Sequence, residues 1–198
     1  MKTNAARALD RLEIDYELLS YEVDPADLVA TSTAKKLGLP ADQVFKTLVV
    51  EGDRHGVALA VIPGSYRLNL KAFARLSGDR KVDTVPLKQV QPLTGYRRGG
   101  VTALACKKPY RVFVDEWAQV YERIAVSAGI RGQMILLATA DYVKATDAVL
   151  GNIAKKRLLK QRWPQKRLLK QSDVLFLSGH ELRGQFRITA ATMGRLNQ

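Results

Sequence analysis

Apolar residues recur at helical spacing at the start of the chain. Ala5, Ala8, Leu9 and Leu12 predict an amphipathic helix over 4–13. Residues 16–21 then read as a short strand. Asp24-Pro25 places a capping residue before a proline at the first helical position, which predicts a helix over 25–37, closed by Gly38 and Pro40. Val44 to Val50 is the clearest strand signal, β-branched and apolar. The turn-rich stretch 51–56 sets Val57–Ile62 as its hairpin partner. A helix over 68–76 ends near Gly78. Strands follow at 101–106, 111–115, 122–127 and 133–138. Tyr142, Ala145, Val149 and Ile153 share one face of a helix predicted over 140–155. Strands and helices mix without a regular βαβ repeat. The expected fold is α/β of the α+β type: one mixed, strongly curled, barrel-like sheet flanked by helices, with a basic C-terminal extension.

The extension has its own texture. Lys156-Arg157-Leu158-Leu159-Lys160-Gln161 recurs as Lys166-Arg167-Leu168-Leu169-Lys170-Gln171, and Pro164 between the copies interrupts any continuous helix. Two copies are too few for a solenoid. Val174–Leu177 has the composition of an extra strand. The chain therefore divides into a domain over 1–155 and an extension over 156–198. Most of the formal net charge of +13 belongs to that extension, because eleven basic and two acidic residues follow Gly151. Such asymmetry points to a polyanion, nucleic acid before membrane, against the plainer reading of a solvated tail.

Composition narrows the class. With 46% apolar and 26% charged residues over 198 positions, the chain can bury a core and is not globally disordered. The single cysteine, Cys106, forms no internal disulfide and implies no oxidising compartment. No apolar stretch approaches the roughly 20 residues that span a bilayer, and the N-terminus has no apolar signal core. A cytoplasmic protein with no membrane partner is expected. His55 and His180 lack companions at metal-ligand spacing, so neither metal nor cofactor is expected. No Walker loop, dinucleotide fingerprint or serine-hydrolase elbow is present.

Two features carry chemistry. Alternation puts Lys46 on the same strand face as Val44, Leu48 and Val50. If that face is interior, the ammonium needs a pocket, water or an anionic ligand; if the face meets solvent, the lysine stem reaches outward. Gly99-Gly100 and Ser127-Ala128-Gly129 flank predicted strands. They either bring main-chain N–H groups close to a ligand, as an oxyanion hole does, or are plain turns.

At these residues the chain resembles the YbaK family of aminoacyl-tRNA deacylases, relatives of the editing insertion of bacterial prolyl-tRNA synthetases. The similarity runs over about residues 3–155. It rests on Tyr21-Glu22-Val23-Asp24-Pro25, Lys36-Leu37-Gly38-Leu39, Asp42-Gln43-Val44-Phe45-Lys46-Thr47-Leu48, Thr94-Gly95-Tyr96 with Gly99-Gly100, and Val126-Ser127-Ala128-Gly129-Ile130-Arg131-Gly132. The resemblance implies trans-editing: hydrolysis of the ester that joins a wrong amino acid to tRNA, most of all Cys-tRNA(Pro). It implies Lys46 as the catalytic residue. Tyr21, Thr47, Tyr96, Gly99, Gly100, Ser127 and Gly129 would contact substrate, and Arg97, Arg98 and Arg131 would contact RNA. In cysteine-specific members the cysteinyl thiol attacks its own carbonyl and leaves as a thiolactone, so the substrate supplies the nucleophile.

Three positions depart from the family pattern. Ala103 stands where a proline closes the glycine loop, Met134 where cysteine-specific relatives carry an acidic residue, and Val23 where a histidine is common. These bear on selectivity, since one small side-chain group is worth only about 1–3 kcal/mol of discrimination. The alternatives are an Ala-tRNA(Pro) deacylase that uses water and a non-catalytic tRNA- or synthetase-binding module. The implied partners are mischarged tRNA(Pro) and, as a candidate, prolyl-tRNA synthetase.

Overall fold

The computed structural model describes residues 2–156. The repeated basic motif from Arg157 onward and the strand expected at 174–177 lie outside the described residues. Helix α1 (Asn4–Arg11) starts where the Thr3 hydroxyl accepts from the Ala6 amide, and it buries Ala5, Ala6 and Leu9. Strand β1 (Tyr16–Ser20) follows.

Helix α2 covers only Ala30–Leu37, five residues later than the sequence suggests. The reason is local. Asp27 accepts from the Val29 amide at 3.2 Å, a donor that a helix begun at Pro25 would give to the Pro25 carbonyl. Gly38, at φ +67°, ends the helix.

Strands β2 (Phe45–Gly52) and β3 (Gly56–Pro63) form the expected hairpin, with Lys46 opposite Ile62 and Gly52 opposite Gly56. β3 carries no alternation because both of its faces are covered. On one side Phe45, Val49, Leu59, Val61, Val112 and Val114 pack with Leu9, Ile124, Ile135, Leu137 and Tyr142. On the other, Val50, Ala58, Ala60, Ile62 and Phe113 pack on Phe73 of helix α3 (Leu70–Ser77), the two phenylalanine rings meeting edge-on at 4.8 Å. Between the hairpin and α3 lies a strand absent from the sequence reading, β4 (Tyr66–Leu68); another, β5 (Val82–Thr84), follows α3. Helix α4 (Leu87–Thr94) comes next and ends at Gly95.

No strand forms over 101–106. Ala105 takes φ +51°, and the Leu104 and Ala105 carbonyls are claimed by the Tyr96 hydroxyl at 2.8 and 2.9 Å rather than by a neighbouring strand. Strands β6 (Arg111–Asp115), β7 (Arg123–Ser127) and β8 (Gln133–Ala138) match expectation.

The helix predicted over 140–155 stops early, as α5 (Thr139–Ala145). The Thr146 hydroxyl closes it on the Tyr142 carbonyl at 2.7 Å, and Asp147 turns the chain at φ +47°. Val149 then belongs to β9 (Val149–Gly151), and β10 (Ala154–Lys156) pairs with β4. Ile153 is still buried. Asp115 holds its stretch by accepting from the Ile153 and Ala154 amides at 2.9 and 2.7 Å.

The sheets correct the barrel expectation. Among the described residues the strands form an open mixed sheet in the order β5-β2-β3-β6-β9, an antiparallel sheet β1-β8-β7, and the β10-β4 pair; no closed or strongly curled barrel results. The five-stranded sheet pairs antiparallel from β5 to β3 and parallel from β3 to β9. Among the described residues its strand pairing with the three-stranded sheet is a single parallel bridge, Val44 to Ala125. The two larger sheets share one apolar core through Val61, Val114, Ile124 and Leu137, while the opposite face of the five-stranded sheet packs on α3.

Candidate active site

The site begins with the pairing pattern of β2. The Val44 carbonyl accepts from the Gly64 amide on the β3 side, whereas the Gln43 and Val49 carbonyls accept from Ala125 and Val85 on the other edge. Alternation therefore turns the main-chain N–H and C=O of Thr47 toward that second edge. Between the bridge at Val44 and the β5 pairing that starts at Val50, this edge has no partner strand among the described residues. A pocket of about 390 Å³ occupies the gap.

Its walls bring together residues far apart in sequence. Val44–Val49 form the floor, the Tyr21–Thr33 stretch one side, Thr84–Val90 another, and Arg98, Gly99 and Val101 the rim; Ser127 and Met134 face it from β7 and β8. Tyr21, Lys46, Thr47, Gly99, Ser127 and Arg98 of the expected set all line this pocket. Tyr96, Gly100, Gly129, Arg97 and Arg131 do not.

Lys46 is half-buried, and its ammonium donates to the Gly64 carbonyl at 2.8 Å and the Tyr66 carbonyl at 2.5 Å. A positive charge on the interior face of β2 is thus met by the carbonyls of the β3–β4 turn. The same turn is tied by a hydrogen bond from the Ser65 hydroxyl to Asp42. The lysine face is interior, and main-chain carbonyls beside the pocket take up its charge.

Tyr96 is a brace. Its hydroxyl bonds two carbonyls as described, and burial pushes its pKa up to about 12. Its ring lies under Gly129, where an added Cβ would stand 2.9 Å from Cε1, and Gly129 itself adopts φ +93°. Glycine is therefore required there on two counts. The Gly129 amide donates to the Ser127 hydroxyl, the Ala128 amide to the Gln133 carbonyl, and the Gly100 amide to the Arg97 carbonyl. These three donors close turns. Gly99, on the pocket rim, is not among the amides so engaged. Of the two glycine readings, plain turns hold for Gly100 and Gly129, and ligand approach stays open for Gly99.

Sequence reasoning missed the acidic wall. Asp24 and Asp27 both line the pocket, where they face it together with the basic groups Lys46 and Arg98. Hydrogen bonds from Ser32 and the Val29 amide hold the Asp27 carboxyl below the ordinary carboxylate range. The signal was the Asp-x-x-Asp spacing in a stretch without a helical apolar face. Cys106 lies outside the pocket, bonded to the Thr102 carbonyl, and burial raises its pKa to about 11, so it is no thiolate nucleophile. Among the described residues no cluster of His, Cys, Asp and Glu is arranged to hold a metal, and no helix is long and apolar enough to cross a membrane.

The sequence profile of the aminoacyl-tRNA editing domain matches residues 25–145, which takes in the whole pocket floor and both glycine loops. The chain belongs to this family. A curated relative from Enterococcus faecalis, named "Putative Cys-tRNA(Pro)/Cys-tRNA(Cys) deacylase EbsC", is 38% identical over 155 residues, covering 78% of this chain and 94% of the relative. Among solved structures, hypothetical protein APE2540 matches with a TM-score of 0.69 at 26% identity, over 75% of this chain and 97% of its own. A structure described as a putative trans-editing enzyme for prolyl tRNA synthetase matches with a TM-score of 0.67 at 22% identity, over 78% and 99%, a likeness of fold.

Proposed function

We propose that the chain is a trans-editing deacylase that cleaves the ester of mischarged aminoacyl-tRNA, with Cys-tRNA(Pro) as its main substrate. Membership of the editing family supports the activity, and the name of the Enterococcus relative supports cysteine. The observation that carries the reading is the pocket at the open edge of β2, which is walled mostly by apolar residues and contains neither Cys nor His. A substrate that brings its own nucleophile suits such a site. The cysteinyl sulfur attacks the ester carbonyl carbon, the carbon–oxygen bond to the 3′ ribose breaks, and the ribose oxygen takes up the thiol proton. The product is a four-membered thiolactone, which water then opens.

In this scheme the Thr47 main chain and the Gly99 amide orient and polarise the ester carbonyl. Lys46 fixes the β3–β4 turn and places positive charge beside the departing tRNA end. Asp27 sits where it can meet the substrate ammonium. A cytoplasmic role beside prolyl-tRNA synthetase follows from that substrate. A water-dependent alanine editor is the second reading, favoured by Met134 at the position where cysteine-specific relatives have an acid.

The test is deacylation of proline tRNA charged with Cys, Ala or Pro. Loss of Cys far faster than in buffer supports the proposal. Preference for Ala establishes the second reading, and no acceleration with any of the three leaves a binding module.

A further inference from the structure

Tyr142 of α5 is the largest fully buried side chain among the described residues, and its hydroxyl meets no partner there at hydrogen-bond geometry. The buried Tyr96 hydroxyl, by contrast, has two carbonyls. Filling the core does not explain the Tyr142 oxygen, because phenylalanine would occupy the same space with no hydroxyl to desolvate. Its place in the core does. Tyr142 shares an apolar cluster with Phe45, Val49, Val85 and Val90, and these four also line the pocket, although Tyr142 itself does not. Thr47 stands between Phe45 and Val49 on β2, and alternation gives it their face. It is half-buried on the pocket floor, so it has the core on one side and the pocket on the other. Burial raises the Tyr142 pKa, Cys106 adds to the rise, and the Thr47 side chain beside the phenol opposes it. The phenol is therefore a proton donor at neutral pH, directed at Thr47.

Resting on the editing reading, we propose that Tyr142 is a positioning residue of the pocket: in the substrate complex its hydroxyl donates to Thr47 Oγ1 and turns the Thr47 hydroxyl proton onto the ester carbonyl oxygen. A threonine hydroxyl has one proton and two lone pairs, so accepting from the core side leaves the proton for the pocket side. Hydrogen bonds in such a chain polarise one another, and the carbonyl meets a stronger donor than threonine alone supplies. The packed ring fixes where that support stands before substrate arrives. No proton leaves either hydroxyl, and the cysteinyl sulfur remains the nucleophile. The orphaned oxygen is then a local fault of the resting fold that the bound ester repairs.

The experiment uses the full chain with Tyr142→Phe, Thr47→Val, the two together, and Tyr142→Phe in a Thr47→Ser background. Each is melted thermally and assayed on the charged proline tRNA that wild type cleaves fastest. Tyr142→Phe is expected to melt no lower than wild type, because the deleted oxygen has no well-made bond to lose. Its kcat should fall about tenfold with KM changed less than about threefold, as when a hydrogen bond that strengthens in the transition state is removed. In Thr47→Val the same change should have no further effect; in Thr47→Ser, which keeps the oxygen, it should again lower kcat. A wild-type kcat in Tyr142→Phe, a fall matched by the fraction unfolded, or an equal fall in Thr47→Val would overturn the proposal. Binding of a hydrolysis-resistant 3′-cysteinylamide of adenosine separates this outcome from failure of the editing reading. If wild type binds the amide and accelerates no ester, deacylation falls and affinity decides. Weaker binding in Tyr142→Phe that needs a hydroxyl at residue 47 keeps the pair, and equal binding removes it. A wild type that neither cleaves nor binds overturns both.

Discussion

Replacing Lys46 tests structure and chemistry at once. Lys46→Met keeps most of the stem and removes the ammonium, and with it the charged hydrogen bonds to Gly64 at 2.8 Å and Tyr66 at 2.5 Å. A hydrogen bond to a charged group contributes about 1.5–3 kcal/mol. The site is half-buried, so water can reach part of what is exposed, and the lower end applies. The expected destabilisation is about 2–3 kcal/mol. At about 2–4 °C per kcal/mol for a chain of this size, Tm falls by roughly 5–10 °C. Urea melts of both proteins check this, with m unchanged if only the folded state is affected. Deacylation is then measured at low temperature, where the variant remains folded, and a loss on the order of 100-fold is expected if the positive charge acts on the ester or its leaving oxygen. A melting point within a degree of wild type would refute the carbonyl clasp. Full deacylation by the folded variant would refute the catalytic assignment and leave Lys46 as a structural residue.

Three further substitutions probe the surroundings. Gly129→Ala combines a left-handed backbone with a Cβ 2.9 Å from the Tyr96 ring, and should cost about 1–3 kcal/mol by thermal melting; a neutral result would show that the two loops are not braced by Tyr96. Met134→Asp puts a carboxyl at a position only 5% exposed, so burial should raise its pKa; the destabilisation must then grow as pH rises above about 4, and a flat difference from wild type across pH 4–8 contradicts that placement. Burial pushes the Asp79 carboxyl up, but hydrogen bonds from the Ser77 hydroxyl and the His55 and Arg54 amides outweigh it and hold the pKa at about 2. That lowered value stabilises the fold by about 1–2 kcal/mol above pH 4 and is lost as pH falls toward 2. Asp79→Asn should flatten this acid limb, and an unchanged limb would place the titration elsewhere.

How much of this was legible depended on whether the decisive interaction was local. β2, β3, β6, β7 and β8 announce themselves because each is a short apolar run closed by turn residues. The end of α2 was equally plain, since Gly38 must adopt a left-handed conformation. Its start was not. Asp24-Pro25 looks like a cap, yet the Asp24 and Asp27 side chains satisfy amides without a helix. The segment 101–106 has strand composition, but its carbonyls are taken by a hydroxyl that arrives from Tyr96. Val149 and Ile153 fit a helical face, yet Val149 is exposed on β9 and Ile153 is buried for another reason: Asp115 draws the chain back into extended pairing with β4. In all three cases a polar side chain redirects the backbone, and hydrophobic period is blind to it.

The same blindness explains the candidate site. Lys46 stood out because a charge among apolar neighbours violates the pattern of its own strand. The acidic wall did not, because it is assembled from residues unremarkable where they stand in sequence. Their meeting place is set by pairing. β2 is held at its start by one bridge to β7 and near its end by three residues of β5, and the main chain between them turns toward open space. Had the strands continued round into a barrel, a neighbouring strand would have taken the Thr47 amide and carbonyl and closed the gap. The missing barrel and the pocket are one structural fact. The opening requires the strand to remain an edge over Phe45–Leu48, and the apolar cores on both faces of the five-stranded sheet keep that edge in place.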